Sequence, residues 1–290
     1  LQRLTAGRNK VPEQLRGMTM KDGRVAHDGL VLLGCGKMGS AMLEGWLAKG
    51  LPASSVWVVD PKPSDWLQST GVTLNATLPA APAVVLVAVK PQMMADALPT
   101  LQAMGNGETL FVSVAAGTTI GYFESVLGGD TPIVRAMPNT PAAISKGITA
   151  IVGNAKAGSR SLDEAEALLS AVGEVVRLTE EAQIDAVTGV SGSGPAYVFH
   201  MIECMAAAGV AQGLPEELAM QLAKATVAGA GALAMQAEED PAQLRVNVTS
   251  PNGTTQAALE VLMDEAEGFP PLLKRAVAAA ADRSRELANG

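Results

Sequence analysis

Five short, uninterrupted apolar runs dominate the first half of the chain: Leu30 to Leu33, Val56 to Val59, Val84 to Val89, Leu110 to Val114, and Ile133 to Val134 behind Pro132. A strand that is apolar at every position has both faces buried, a condition met in a parallel sheet covered by helices on either side. Helical stretches separate the runs, most clearly at Ser40 to Lys49. The alternation predicts successive βαβ units in an α/β, doubly wound, mainly parallel sheet. Two more candidate strands, Ile148 to Val152 and Glu174 to Leu178, flank an amphipathic helix at 162–172 and carry the sheet to about residue 178.

After Thr179 the strand-like runs give way to Ala-rich stretches with helical spacing, at 183–190, 195–209, 215–236, 255–267 and 271–288. The expected division is a leader at 1–28, an α/β domain at 29–178 and an all-helical domain at 179–290. A length of 290 residues suits two domains at about 150 residues each. The leader is read as disordered, because it is basic (Arg3, Arg8, Lys10, Arg16, Lys21, Arg24) and lacks the apolar core of a secretory signal.

With 48% hydrophobic and 17% charged residues, the chain carries too much apolar surface to stay unfolded in water. The net charge of −8, from 21 basic and 29 acidic residues, lacks the positive field that holds a phosphate backbone, which argues against nucleic acid as a partner. No charge-free apolar run reaches the roughly 18 residues of a membrane span. Cys35, Cys204, His27 and His200 are the only cysteines and histidines and show no metal-ligand spacing, so neither a metal nor a disulfide framework is expected. A reducing cytoplasm fits. In the helical half, small residues such as Ala206, Ala207, Gly229 and Gly231 permit close helix approach, and the apolar surplus suits burial against a second subunit.

The chemistry begins at GCGKMG, residues 34–39, directly behind the first apolar run and opening a helix. Gly34 suits a tight turn, Gly36 a close backbone approach to a pyrophosphate, and Gly39 the packing of helix on strand, with Lys37 and Met38 in the first helical turn. This is a Rossmann-type fingerprint, and Asp60 lies about 20 residues on, where an acidic side chain can bind an adenosine ribose. A carboxylate there favours NAD(H), while Lys62 offers a compensating charge for NADP(H); both coenzymes remain open. Ala88 to Pro91 and Ala115 to Gly117 follow strand ends, where ligands of open α/β sheets bind. As plain scaffold, Pro91 starts a helix and Gly117 makes a turn. RAMPNTPA at 135–142 also follows a strand, with Asn139 and Thr140 between two prolines.

In the helical half, TSPNGTT at 249–255 places a turn before a helix start and leaves several amides facing one spot. A small carboxylate can dock on such amides, although the same residues suit an ordinary helix cap. Carbonyl reduction needs a proton donor near the oxygen, but His27 lies in the leader and His200 on a helix with no evident acidic partner. An imine takes its proton from solvent and then needs only a hydroxyl to orient it; Thr255 can be that hydroxyl.

Taken in order, GCGKMG at 34, AVKP at 88, SVAAGTTI at 113, RAMPNTPA at 135, VTGVSGSGPAYVF at 187, GLP at 213 and LRVNVTSPNGTTQAALEVLMD at 244–264 resemble the pyrroline-5-carboxylate reductase family across about residues 29 to 288. The resemblance implies NAD(P)H-dependent reduction of 1-pyrroline-5-carboxylate to L-proline, the last step of proline biosynthesis. It implies that Ser250, Gly253, Thr254 and Thr255 bind the substrate carboxylate and that Thr255 stands by the imine nitrogen as the catalytic hydroxyl. It further implies that Asn75, Ala88, Lys90, Ala116 and Asn247 contact the dinucleotide, and that the helical domain forms a homodimer open to further assembly. Asn252 stands where the family usually has a second glycine, and Asp60 where Ser or Thr is frequent. Two other readings compete. A β-hydroxy-acid-type dehydrogenase needs a lysine on a helix of the second domain, for which Lys224 is the only candidate. A non-catalytic dinucleotide sensor has no need of TSPNGTT.

Overall fold

The computed structural model describes residues 20, 21 and 23–289. Its strands are β1 (Leu30–Leu33), β2 (Val56–Val59), β3 (Thr73–Leu74), β4 (Val84–Val87), β5 (Leu110–Ser113), β6 (Ile133–Met137), β7 (Gly147–Gly153) and β8 (Gly173–Arg177). They form one sheet in the order β3-β2-β1-β4-β5-β6-β7-β8, parallel throughout except for the antiparallel pair β6–β7. The chain leaves β3 at one edge and re-enters as β4 beside β1. The strand order therefore reverses between β1 and β4, and the carboxyl ends of these two strands border the ligand crevice of such a sheet.

The uninterrupted apolar runs split between two faces, because successive side chains of a strand point opposite ways. Leu30, Leu32, Val84 and Leu86 join one buried cluster with Met42, Leu43 and Trp46. Val31, Leu33, Val85 and Val87 join the other with Phe111, Phe123 and Leu98. Helices cover both faces: α1 (Arg24–Asp28), α2 (Lys37–Ala48), α3 (Asp65–Ser69), α4 (Met94–Ala97), α5 (Ile120–Leu127), α6 (Ser159–Leu169) and α7 (Gln183–Val187). Trp46 of α2 is fully buried, and its indole N–H donates to the Leu168 carbonyl at 2.9 Å, which satisfies the one polar atom of the side chain.

Two expectations about boundaries are corrected. The end of the expected disordered leader is ordered: α1 buries Val25, and Arg24 donates to Glu164 Oε2 (3.0 Å) and to the carbonyls of Ala83 (3.1 Å) and Glu108 (2.6 Å). Residues 1–19 and 22 of that leader lie outside the described residues. The expected domain break at 178/179 falls later. The chain divides into one unit ending at Val187, which takes back the residues from Arg283, and a second unit, Thr188–Asp282. The cause is α7, whose Ile184 is fully buried in the sheet's second cluster, and Ser284, whose hydroxyl donates to Asp185 Oδ1 at 2.6 Å.

The second unit is helical, as expected. A π-helical turn (Thr188–Gly192) precedes α8 (Gly194–Ala211), α9 (Glu216–Gln236), α10 (Pro241–Asn247), α11 (Thr254–Leu262) and most of α12 (Phe269–Asn289). α10 is absent from the sequence reading, although its signal is local: Asp240 caps it by accepting the Gln243 N–H at 2.8 Å, and Pro241 starts it. α8 and α9 meet along Ala206, Ala219 and Ala223. A side chain on Gly209 would meet the Ala219 methyl at 3.2 Å, so only small residues allow this approach. Large apolar side chains remain outside, among them Val210, Leu222, Leu233, Met235 and Val261. α9 is also the one described helix long and apolar enough, by length and composition alone, to cross a membrane.

Candidate active site

The turn after β1 is built from glycines with distinct duties. Gly34 has φ +88°, a left-handed conformation that favours glycine, and a Cβ there would press on the Ala88 carbonyl and the Val89 side chain, each at 3.0 Å. Gly39, inside the first turn of α2, leaves no room for a Cβ beside the Gly34 carbonyl. Gly36 is the N-cap of α2, extended and without a side-chain cap, and a Cβ on it would meet nothing within 4 Å. An open N-cap on a helix backed by the core leaves first-turn amides for an anion. These residues fit the pyrophosphate of a dinucleotide, with Lys37 exposed and Met38 half-buried against the core in the same turn.

Asp60 follows β2, and its carboxylate accepts two amides, from Cys35 at 2.7 Å and Lys62 at 2.8 Å. Asn75 follows β3 in a left-handed conformation (φ +48°), and its side-chain amide is paired with the Asp60 backbone at both ends. Beside them, Ala88 continues from β4 with its N–H donating to the Leu33 carbonyl at 2.8 Å. The structure thus gathers Gly34, Gly36, Gly39, Asp60, Asn75 and Ala88 at the carboxyl ends of β1, β2 and β4. Lys90 is exposed and caps a 3₁₀ turn that begins with Pro91. Ala116 is exposed in the turn after β5, next to Gly117 (φ +72°).

RAMPNTPA is scaffold in this structure. Asn139 is buried and accepts the Ile148 N–H at 3.0 Å, tying a 3₁₀ turn to β7. Arg135 is buried on β6 and paired with Glu181 at 2.7 Å; the same Glu181 oxygen accepts the Ile120 N–H at the start of α5. Sequence reading missed this pair, since its members lie 46 positions apart.

In the second unit, the TSPNGTT turn closes through the Gly253 N–H and Ser250 carbonyl at 3.0 Å. Asn252 holds the left-handed position (φ +58°), one of the few conformations in which Asn replaces Gly readily. Its N–H donates to Gln256 Oε1 at 2.8 Å, a contact not anticipated from sequence. Gly253 is the N-cap of α11, extended and again without a side-chain cap. The Gly253 amide, expected to bind substrate, is therefore engaged in its own turn, and the open amides are those of Thr254 and Thr255. Among the described residues neither threonine hydroxyl has a hydrogen-bond partner, and Thr255 is half-buried. Asn247, assigned to the dinucleotide by resemblance, lies at the end of α10 in this second unit and accepts from Gln243 at 2.8 Å. Lys224 is exposed on α9. Among the described residues no three His, Cys, Asp or Glu side chains gather as metal ligands.

A phosphate-type turn at the switch point of a mainly parallel sheet, followed by a helical unit, defines an NAD(P)H-dependent oxidoreductase of the Rossmann type. Residues 30–117 match the family model described as NADP oxidoreductase coenzyme F420-dependent, and residues 181–287 match the one described as pyrroline-5-carboxylate reductase dimerisation. The chain belongs to the pyrroline-5-carboxylate reductase family. It is 41% identical over 265 residues to the pyrroline-5-carboxylate reductase of Pseudomonas aeruginosa, covering 89% of this chain and 96% of that one. The Synechocystis enzyme of the same name is 42% identical, with coverage of 89% and 97%. Among solved structures, the pyrroline-5-carboxylate reductase of Coxiella burnetii superposes with a TM-score of 0.84 at 33% identity, covering 90% of this chain and 98% of that one. The Plasmodium falciparum pyrroline carboxylate reductase with NADP bound gives 0.79 at 27% identity, covering 91% and 99%.

Proposed function

We propose that the chain reduces 1-pyrroline-5-carboxylate to L-proline with NAD(P)H, with the coenzyme on the Gly34–Gly39 turn and the substrate carboxylate on the start of α11. When bound, the nicotinamide supplies the hydride. The observation that carries the substrate reading is the Gly253-capped start of α11, where two threonines present hydroxyls with no hydrogen-bond partner among the described residues, beside the open amides of the first helical turn. The Thr254 and Thr255 amides hold the carboxylate without a basic side chain, as helix N-termini hold anions. The Thr255 hydroxyl accepts the N–H of the imine once solvent has protonated it, which orients the electrophilic carbon. No residue of TSPNGTT titrates near neutral pH, which suits a reaction whose proton comes from solvent. Ser250 borders the same turn, and Lys90, Ala116 and Asn247 remain assigned to the dinucleotide by resemblance.

We also read the second unit as a homodimerisation unit acting on a small-molecule substrate, with neither nucleic acid nor membrane as partner. The apolar side chains left outside on α8 and α9, including those that make α9 resemble a membrane span, support burial by a second copy. The unpaired thiols of Cys35 and Cys204 suit the cytoplasm.

The test follows oxidation of NADH and of NADPH with 1-pyrroline-5-carboxylate, and with a β-keto acid as control. Turnover with the imine alone is expected. Turnover with the keto acid alone would replace this reading by the hydroxy-acid one, and dinucleotide binding without either reaction would replace it by the sensor.

A further inference from the structure

Asp60 is held at four points. Its N–H donates to Asn75 Oδ1 at 2.9 Å, and its carbonyl accepts from Asn75 Nδ2 at 2.8 Å. Its Oδ2 accepts the Cys35 N–H at 2.7 Å, and its Oδ1 the Lys62 N–H at 2.8 Å. β3 pairs with β2 through only two residues, Thr73 and Leu74. At the next position the backbone turns left-handed at Asn75, whose side-chain amide replaces the missing main-chain partner of Asp60. The ladder is thereby extended by one residue, and the carboxylate is fastened across the glycine turn.

Each carboxylate oxygen has a second lone pair beyond the amide it accepts. The side chain is half-exposed, and among the described residues no ion pair neutralises it. Lys62 meets it through the main-chain N–H, with no ion pair from its exposed ammonium. The charge is felt next door, where burial and the Asp60 carboxylate together push the Cys35 thiol up to about 11. A hydroxyl arriving at this spot finds an acceptor. A phosphate finds a fixed like charge, which disfavours it.

We propose that the Asp60 carboxylate, fastened by Asn75, selects NADH over NADPH by accepting the 2′-hydroxyl of the adenosine ribose and repelling a 2′-phosphate. This rests on the reading that the dinucleotide lies on the Gly34–Gly39 turn. Asn75, matched by resemblance to a coenzyme contact, acts instead as a positioning residue, because both ends of its amide are engaged by Asp60. The Lys62 charge, which the sequence left as a counterweight, does not offset the carboxylate.

The experiment measures NADH and NADPH dissociation constants calorimetrically on the full chain, without substrate, for the native protein, Asp60→Ser and Asn75→Ala. The native protein is expected to prefer NADH by about 10- to 100-fold, one to two steps of about 1.4 kcal/mol. Asp60→Ser should bring the two coenzymes within about threefold, chiefly by tightening NADPH, and Asn75→Ala should reduce the preference by several-fold. Raising the salt to about 0.5 M should narrow the native preference, because the discrimination is between charges, and a merely structural role for Asp60 would not respond in this way. Equal or tighter native binding of NADPH overturns the proposal, as does an unchanged ratio in Asp60→Ser. A clear NADH preference in a protein that fails to reduce the imine would sink the reductase reading and leave this one standing. Binding of neither coenzyme removes both.

Discussion

The helix starts at the two candidate binding turns are built alike, in very different surroundings. Gly36 (φ −72°, ψ −160°) starts α2, and Gly253 (φ −86°, ψ 171°) starts α11; both are extended and neither offers a side-chain cap. By contrast, α3, α5 and α10 are capped by Ser64, Thr119 and Asp240, whose oxygens accept a first-turn N–H. Where a side chain caps a helix, the chain satisfies its own amides; where glycine caps it, they stay open. Gly23 and Gly158 start α1 and α6 in the same way, so Gly36 and Gly253 are set apart by place, one at the carboxyl end of β1 and the other before two threonines. Behind the glycines the two sites part. α2 drives Met42, Leu43 and Trp46 into the core, all fully buried, whereas α11 buries no residue. A site backed by a sheet is fixed by one chain, while one on a thinly packed helix depends on what covers that helix.

Gly39→Val breaks the first device hardest, since the new side chain has no room beside the Gly34 carbonyl. NADH affinity in a fluorescence titration should fall about 100-fold or more, consistent with a backbone clash that must displace the helix start. Unaltered affinity would remove the coenzyme from this turn. Thr255→Ala tests the second device alone: kcat/KM for the imine should drop about 10- to 100-fold, the scale of one transition-state hydrogen bond, with NADH affinity unchanged. A joint loss of turnover and NADH affinity would show that the two devices are not independent.

The difference in backing is sharpened by Leu222→Asp, which places a charge on the exposed apolar surface of α9. Sedimentation should show subunit association weakened by at least about tenfold towards the monomer, as for a buried unpaired charge. Dinucleotide binding in the sheet unit should persist. The smallest effect concerns Cys35, whose thiol is pushed up to about 11 by burial and then by Asp60. Its alkylation should be slow at pH 8 relative to the urea-unfolded chain and quicken only towards pH 11. Because the folded value lies above the ordinary 9.0, the associated stability is complete below pH 9 and is lost as pH rises towards 11. An alkylation rate matching that of the unfolded chain at pH 8 would show that neither burial nor Asp60 acts on the thiol.

Much of this was legible from residue order, and the reason is local. Apolar runs at β1, β4 and β5 report burial on both faces directly, and the glycine spacing at 34–39 reports a backbone that side chains would obstruct. TSPNGTT likewise carries its own turn, down to the left-handed Asn252. Other features were hidden because their partners are remote. The two-residue strand β3 is too short to show a period. The ordering of α1 depends on Arg24 reaching Glu164, 140 positions away. The unit boundary moved to Val187 because Ile184 found a place in the sheet's core and Asp185 a partner in Ser284.

By itself, then, the sequence determined the alternation of strands and helices, the change to an all-helical second half, and the positions of the glycine turns before α2 and α11. These follow from side-chain periodicity and backbone sterics within a few residues. Only the tertiary structure decided the antiparallel insertion of β7, the engagement of the Gly253 amide, and the fastening of Asp60 by Asn75 across the glycine turn. A hydrogen bond forms between whichever donor and acceptor the folded chain brings within about 3 Å, and sequence spacing does not record that distance.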